Sequence, residues 1–412
     1  MNLRERIVEI TSLIKKHREY REACLNLIAS ENTPSPLVDR LYSAELNHRY
    51  GNYTGIDIEA REYQGNRYIT RIEGLAQNLA KELFGAEYVD LRPLSGNIAG
   101  LAATLATVGP GDCVLEAPNG HRYAKKLASS RLKVDLSARP LPWDGPNSNI
   151  DLEKTKELIR RHKPTVVTVG SGIFLFPQPV REIREEMDRS APDSTLIYDA
   201  AHVMGLIAGK RFQDPLREGA DIVVSSTHKT LAGPQGGMIL TNDRNLAERI
   251  GNAIAPLLES NHHLGRLPAL AATFQEWLAC GEEHASSIIE NARALGKELQ
   301  VRGLPMVGES CGITNSHTLH LITDAYGADK VIEDRLETCG IIVGAVGAPE
   351  ELGKFGLRLG VQEVTRKGMT LVHAPAIADC IIDAMNGVNP ESVLNRVRNM
   401  AQKFNQVRFT LE

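Results

Sequence analysis

Leu3, Ile7, Ile10, Leu13 and Ile14 recur at helical spacing among charged residues, so the chain is predicted to open with an amphipathic helix over residues 3–19. Such an arm either covers its own domain or packs on a partner subunit. Residues 26–75 are polar, with several tyrosines and glycines; they read as too irregular for core and suited to active-site loops. From about residue 75 the pattern alternates. A helix is predicted over 75–84, a short strand over 88–91, a helix over 98–107 entered through the Ser95-Gly96-Asn97 turn, and a strand over 113–115 after Gly109-Pro110-Gly111-Asp112. Apolar runs of strand length follow at 165–169, 196–198, 222–224 and 238–240, with helical segments such as 180–189 separating the first three. That alternation predicts a mainly parallel sheet covered by helices. A helical stretch over 267–302 precedes shorter strand-like runs at 318–322, 341–343 and 356–359 and a helix at 370–386. The change of rhythm predicts a helical arm over 1–30, a large domain over 31–279 and a smaller α+β domain over 280–412.

Composition narrows the class. The 412 residues are enough for two domains with one large core, and 42% hydrophobic and 24% charged residues are ordinary for a globular protein. A net charge of −4 gives no reason to expect nucleic acid or an anionic membrane as partner. No apolar run approaches the roughly 18 residues of a membrane span. Residues 1–11 carry Arg4, Glu5, Arg6 and Glu9 and lack the apolar block of a signal peptide, so a cytoplasmic enzyme is expected. The six cysteines (24, 113, 280, 311, 339 and 380) stand far apart without a Cys-x-x-Cys pair and read as reduced thiols. His262-His263 could suggest a metal hydrolase, but no acidic partner motif accompanies the pair; it reads as part of a loop, and no metal is expected.

Three short segments carry the candidate chemistry. Asp199 ends the apolar run Leu196-Ile197-Tyr198; a carboxylate at the end of a buried strand is costly unless paired, although a helix N-cap or turn is the plainer use. Lys229 lies between His228 and Thr230 at the end of Ile222-Val223-Val224 and before the glycine-rich turn Gly233-Pro234-Gln235-Gly236-Gly237. Alone it would pass for a surface lysine. Pyridoxal phosphate chemistry needs a lysine to hold the cofactor as a Schiff base and a carboxylate to keep the pyridine nitrogen protonated, and the ends of strands in an open α/β sheet present such groups. Ser95-Gly96-Asn97 opens a helix whose free N–H groups suit a phosphate. Each signal is weak by itself; together they describe one cofactor site.

These segments resemble the serine hydroxymethyltransferase family. The resemblance runs in order from about residue 20 to 390: Leu27-Ile28-Ala29-Ser30-Glu31-Asn32, Lys81-Glu82-Leu83-Phe84-Gly85-Ala86, Leu94-Ser95-Gly96, Asp199-Ala200-Ala201-His202-Val203-Met204-Gly205-Leu206, Thr227-His228-Lys229-Thr230-Leu231-Ala232-Gly233-Pro234, Gly356-Leu357-Arg358-Leu359-Gly360 and Thr365-Arg366-Lys367-Gly368. It implies an α/β, fold-type-I pyridoxal phosphate enzyme of the aspartate aminotransferase kind. The expected architecture is a mainly parallel sheet of seven-stranded type and a smaller α+β C-terminal domain. It further implies a homodimer with shared active sites, interconverting a β-hydroxy-α-amino acid and glycine by aldol chemistry. By position, Lys229 would form the Schiff base and Asp199 would hold the pyridine nitrogen. Ser95, Gly96 and Asn97 would take the phosphate, with Thr227 and His228 beside it. His202 would lie near the ring, and His121 resembles the histidine stacked on it. Arg358, helped by Ser30, would clamp the substrate carboxylate in a bidentate contact. Tyr50 and Tyr63 match two tyrosines that family members supply from the neighbouring subunit.

The chain departs from the family pattern in four places. The family's usual Tyr-Ala-Glu-Gly-Tyr-Pro-Gly becomes Tyr50-Gly51-Asn52-Tyr53-Thr54-Gly55, so the position of the glutamate that handles protons in one-carbon transfer falls on Asn52 or Tyr53, with Glu59 and Glu62 nearby. Gln235 stands where arginine is frequent. Pro256-Leu257-Leu258-Glu259-Ser260-Asn261 replaces a glycine-rich loop, and Val361-Gln362-Glu363 replaces Thr-Pro-Ala. All four fall around substrate, folate and the subunit boundary. The expectation is therefore retained aldol chemistry, with use of tetrahydrofolate or another pterin left open. The alternatives are a folate-independent threonine aldolase or L-threonine transaldolase-like enzyme and, in another class, a pyridoxal phosphate-binding subunit without turnover.

Overall fold

The structure, a computed structural model, describes residues 3–412. The chain divides into two compact units, Ser30–Ser286 with Phe409–Glu412, and the residues up to Ala29 with Ser287–Arg408.

The larger unit is built on seven strands: Tyr88–Asp90 (β1), Asp112–Glu116 (β2), Leu136–Pro140 (β3), Val166–Gly170 (β4), Thr195–Asp199 (β5), Ile222–Ser226 (β6) and Gly237–Thr241 (β7). Their order across the sheet is β1-β7-β6-β5-β4-β2-β3. Only β7 runs against its neighbours; the pairings among β6, β5, β4, β2 and β3 are all parallel. Strands β4, β6 and β7 are buried along their whole length, as expected of a sheet covered on both faces. Helix Gly96–Thr107 turns Ala99, Ala102, Ala103 and Ala106 toward Val114, Val166, Ile197, Val224 and Ile239, and these small side chains let it lie close to the strands.

Several elements are not visible in the apolar pattern. The helix predicted over 75–84 begins at Arg67, because its buried row Ile69, Thr70, Glu73, Ala76, Ala80 and Leu83 includes polar residues. The segment that reads as too irregular for core contains Tyr53, 1% exposed, and the short helix Pro36–Leu41. Strand β3 (Leu-Ser-Ala-Arg-Pro) has no apolar run because it is an edge strand paired only with β2.

In the smaller unit, Thr318–Ile322, Phe355–Gly360 and Gly344–Gly347 form an antiparallel sheet with Phe355–Gly360 in the middle. Leu25–Asn26 pairs in parallel with Ile341–Ile342. Helices Asp329–Thr338, Ala374–Met385 and Pro390–Ala401 belong to the same unit. The opening helix, Leu3–Glu22, is exposed from residue 4 to residue 20, so it does not cover its own domain: Ile7, Val8, Ile10, Leu13 and Ile14 all lie bare. All six cysteines are free thiols. Among the described residues no helix is long and apolar enough to cross a membrane.

Candidate active site

The C-terminal ends of β5 and β6 carry the two residues on which the cofactor argument rests. Asp199 is the last residue of β5 and is 5% exposed. Its Oδ2 accepts hydrogen bonds from His121 Nδ1–H and from the Tyr123 hydroxyl, each 2.8 Å away, and its Oδ1 accepts the Ala201 N–H at 3.0 Å. Burial pushes this carboxyl up, but the donors from His121, Tyr123 and Ala201 together outweigh it and hold the group below the ordinary carboxylate range. The turn reading of Asp199 is thus partly met by Ala201, and the carboxylate has a further role with two side chains.

Lys229 follows β6 by three residues. Its Nζ lies 3.0 Å from His202 Nε2, and the backbone around it is tied down on several sides. The Thr230 hydroxyl donates to the His202 carbonyl at 2.9 Å, Ser226 Oγ donates to the Ala201 carbonyl at 3.1 Å, and Asn32 Nδ2 donates to the Lys229 carbonyl at 3.1 Å. The segments 199–202 and 226–230 are therefore cross-linked by hydrogen bonds. Thr227 closes the glycine-rich turn, its hydroxyl donating to Pro234 O at 2.6 Å and its N–H to Gly236 O at 3.0 Å. His228 Nδ1 is buried without a hydrogen-bond partner among the described residues. Burial, reinforced by Lys229, pulls the His228 imidazole down to about 4, so it is neutral at physiological pH.

Ser95 caps helix Gly96–Thr107, accepting the Ile98 N–H at 3.2 Å. The cap is pressed against β6 and β7: a Cβ on Gly96 would lie 3.0 Å from Ser226 N, and one on Gly237 would lie 2.3 Å from Ser95 O. Asn97 Oδ1 accepts from Lys126 Nζ at 2.7 Å, and the same ammonium sits 5.5 Å from the centre of the Tyr123 ring. A continuous set of contacts thus leads from the helix start through Lys126 and Tyr123 to Asp199. Asn32, Tyr123 and Lys126 are site residues that the sequence does not single out. Asn32 lies within a quoted motif, whereas Tyr123 and Lys126 have no motif to mark them.

The polar segment before residue 75 holds a second constellation. Tyr50 and Tyr63 are both more than half exposed, with ring centres 5.4 Å apart, and Asn66 Nδ2 ties their two carbonyls together at 2.9 Å. Of the two positions that could replace the family glutamate, Tyr53 turns into the interior, where its hydroxyl donates to Glu73 at 2.8 Å. Asn52 is nearly buried and donates from Nδ2 to Glu62 Oε2 at 2.5 Å, while Glu62 is exposed. Glu73 also receives Arg61 at 2.6 Å and lies 3.2 Å from His262 Nε2. His262 is therefore engaged in a buried ion cluster, and among the described residues no group of three His, Cys, Asp or Glu side chains is placed to hold a metal. Ser30 is half-buried at the start of the larger unit. Arg358 belongs to the smaller unit, on the central strand Phe355–Gly360 opposite His320 and Gly344, where burial lowers its guanidinium from the ordinary value.

Comparison with known proteins identifies the family. A sequence model of the family described as serine hydroxymethyltransferase matches residues 3–381. Serine hydroxymethyltransferase of Methanopyrus kandleri is 38% identical over 98% of this chain and 95% of its own. That of Korarchaeum cryptofilum is 37% identical over 98% and 96%. Among solved structures, L-threonine transaldolase from Pseudomonas fluorescens in its internal aldimine state superposes with a TM-score of 0.91 at 31% identity, covering 98% of this chain and 94% of that one. The chain belongs to the serine hydroxymethyltransferase family.

Proposed function

We propose that this protein uses pyridoxal phosphate to interconvert a β-hydroxy-α-amino acid of the serine or threonine type and glycine. The observation that carries the reading is the pair of strand ends: Lys229 Nζ at 3.0 Å from His202, and Asp199 three residues before that histidine with its carboxylate kept ionised by three donors. The chain fits the cofactor. Lys229 is the amine for the Schiff base, and Asp199 is the buried anion for the ring nitrogen. Ser95, Gly96 and Asn97 offer a helix N-terminus to the phosphate. His228 Nδ1, buried and unpartnered, is an orphan polar atom of the kind a bound group satisfies. His121, hydrogen-bonded to Asp199, is the candidate to stack on the ring. Once bound, pyridoxal phosphate supplies a conjugated electron sink that makes the bonds at Cα of an amino acid labile.

The remaining assignments concern substrate. Arg358, in Gly356-Leu357-Arg358-Leu359-Gly360, is the candidate for the substrate carboxylate, with Ser30 assisting. The reading also takes the protein to be a cytoplasmic homodimer in which each subunit lends Tyr50 and Tyr63 to the other. Their exposure and the bare apolar row on helix Leu3–Glu22 support it.

A threonine aldolase or transaldolase reading has its own support in Asn52. An amide cannot take and return a proton as a carboxylate does, and the nearest acid, Glu62, has one oxygen held by that same amide. The first test is a visible spectrum of the purified protein and of Lys229→Ala, in which the Schiff-base band is expected to vanish. A colourless wild type that cannot be reconstituted with pyridoxal phosphate would refute the proposal. Aldehyde release from allo-threonine and from serine, each with and without tetrahydrofolate, then separates the readings: strict folate dependence of serine cleavage selects the hydroxymethyltransferase, and folate-independent cleavage of allo-threonine alone selects the aldolase.

A further inference from the structure

Asp199 accepts three hydrogen bonds from its own chain. A carboxylate offers about four acceptor directions. Here His121 and Tyr123 take both directions of Oδ2, and Ala201 N–H takes one of Oδ1. One direction, on Oδ1, is left for a ligand.

The Tyr123 ring packs into the core beside helix Gly96–Thr107 and brings its hydroxyl to this position. Tyr123 is the first residue of helix Tyr123–Leu127 and is 1% exposed, following Arg122, whose backbone is in the left-handed region at φ 50°. Its ring passes across helix Gly96–Thr107 at Gly100. A Cβ at Gly100 would lie 1.9 Å from Tyr123 Cζ and 2.3 Å from both Cε atoms, so no larger residue can stand there while the ring stays. Glycine within a helix is less favourable than alanine, because it surrenders more backbone freedom. The helix that starts the phosphate cradle bears this cost where the phenol passes. The ring lies nearly parallel to His121, 13° between planes and 5.7 Å between centres. Burial, with the neighbouring Asp199 charge, raises the phenol well above its ordinary value, so it remains a proton donor throughout the physiological range.

We propose that Tyr123 is a specificity-determining positioning residue: by donating its hydroxyl proton to Asp199 Oδ2, it moderates that carboxylate as an acceptor for the pyridine nitrogen of the cofactor. A carboxylate that already receives three hydrogen bonds is a weaker base toward a fourth donor. The ring nitrogen is then less completely protonated, and the electron sink is tempered. A full sink labilises every bond at Cα, including the C–H bond whose loss leads to transamination and racemisation. A tempered one favours cleavage of the Cα–Cβ bond, where the β-hydroxyl supplies its own driving force. Tyr123 thereby biases the site toward aldol chemistry without touching the substrate. This inference rests on the assignment of Asp199 to the ring nitrogen made above.

The test reads the nitrogen directly. Wild type and Tyr123→Phe are loaded with pyridoxal phosphate labelled with nitrogen-15 in the ring, and the resonance is recorded by NMR. Phe keeps the ring against Gly100 and removes only the donor. The resonance is expected to move toward the protonated pyridinium limit in Tyr123→Phe, accompanied by a several-fold rise in half-transamination of alanine relative to aldol cleavage. Site-specific 3-fluorotyrosine at position 123, a stronger donor of nearly the same shape, is expected to move the resonance the other way, and it decides the matter should Tyr123→Phe not fold. A resonance that stays in place in these proteins, or moves in the opposite sense, would overturn the role of Tyr123 while leaving the cofactor assignment standing. Failure of the wild type to bind the labelled cofactor would overturn both.

Discussion

Replacing Glu73 by glutamine should destabilise the larger unit by about 3 kcal/mol at pH 7, a loss that fades in acid. Glu73 is fully buried and is the shared acceptor of Arg61, whose side chain is 3% exposed, and of the Tyr53 hydroxyl, with His262 3.2 Å away. Burial pushes its carboxyl up, but His262 and Arg61 more than reverse this and hold it at about 2 rather than the ordinary 4.5. At about 1.4 kcal/mol per pH unit, this preference for the ionised form amounts to about 3 kcal/mol. Breaking a buried ion pair from one side costs about 3–5 kcal/mol, which agrees. The amide of Glu73→Gln keeps the shape but leaves the Arg61 charge without its counter-ion. The sign follows from a folded value below the unfolded one: the stabilisation is complete above about pH 5 and is lost as pH falls toward 2. Both tryptophans, Trp143 and Trp277, lie in the larger unit, so their fluorescence during urea unfolding reports on it. The titrations are run at one protein and one cofactor concentration, since both shift apparent stability. A difference between wild type and Glu73→Gln below about 1 kcal/mol at pH 7, or one that does not shrink between pH 5 and pH 3, would refute the reasoning.

Two further outcomes are expected. Gly170 ends β4 at φ 130°, and a Cβ there would meet the Asp199 carbonyl oxygen at 2.6 Å and Asp199 Cβ at 2.7 Å. Gly170→Ala should therefore cost about 1–3 kcal/mol of backbone strain and weaken pyridoxal phosphate binding roughly tenfold by displacing Asp199, as measured by titrating apoprotein and following the visible band. Glu259, which accepts the Leu94 N–H at 2.9 Å one residue before Ser95, is raised to about 7, chiefly by burial. Since its folded value exceeds the unfolded one, the folded state holds this proton longer, and wild-type stability should fall as pH rises from about 4.5 to 7. Glu259→Gln keeps an acceptor for Leu94 and should remove that decline, gaining on the order of 1–2 kcal/mol over wild type by about pH 8 in the same urea assay.

The mainly parallel sheet is legible in the sequence because β4, β6 and β7 are buried along their length and each carries an apolar run. The same rule hides an edge strand: Leu136–Pro140 is paired on one side only and carries Ser137 and Arg139. It also hides the first part of helix Arg67–Phe84, ahead of the stretch predicted over 75–84, where the inward row includes Glu73. A buried carboxylate breaks the apolar pattern, and its partners Arg61 and His262 are 12 and 189 residues away in the chain. Asp199 is legible because it follows an apolar run directly, and Lys229 because it stands between such a run and a glycine-rich turn. Tyr123 is not, because its contact with Asp199 spans 76 residues and its space is made by Gly100 on yet another element.

That difference bears on where the reaction is decided. The groups that would hold the cofactor sit at strand ends, where a covered sheet fixes the backbone and limits which residue types can serve. The groups that would handle the second substrate sit on irregular backbone, where the chain has changed most. There the change is a compensated one. Asn52, one of the two positions on which the family's acid falls, is nearly buried and spends its amide on Glu62, while Arg61, next to Glu62, is anchored by Glu73 and Thr70. Glu62 is thus presented from a fixed backbone with one oxygen bound, beside the exposed ring of Tyr63. A carboxylate held in place by an amide suits orienting a polar substrate. Proton delivery makes a different demand: the acid must bring an oxygen within hydrogen-bond reach of the reacting atom, and the Asn52 amide restrains Glu62 where it is. This arrangement supports the proposed aldolase or transaldolase reading, and comparison of serine with allo-threonine is the measurement that bears most directly on it.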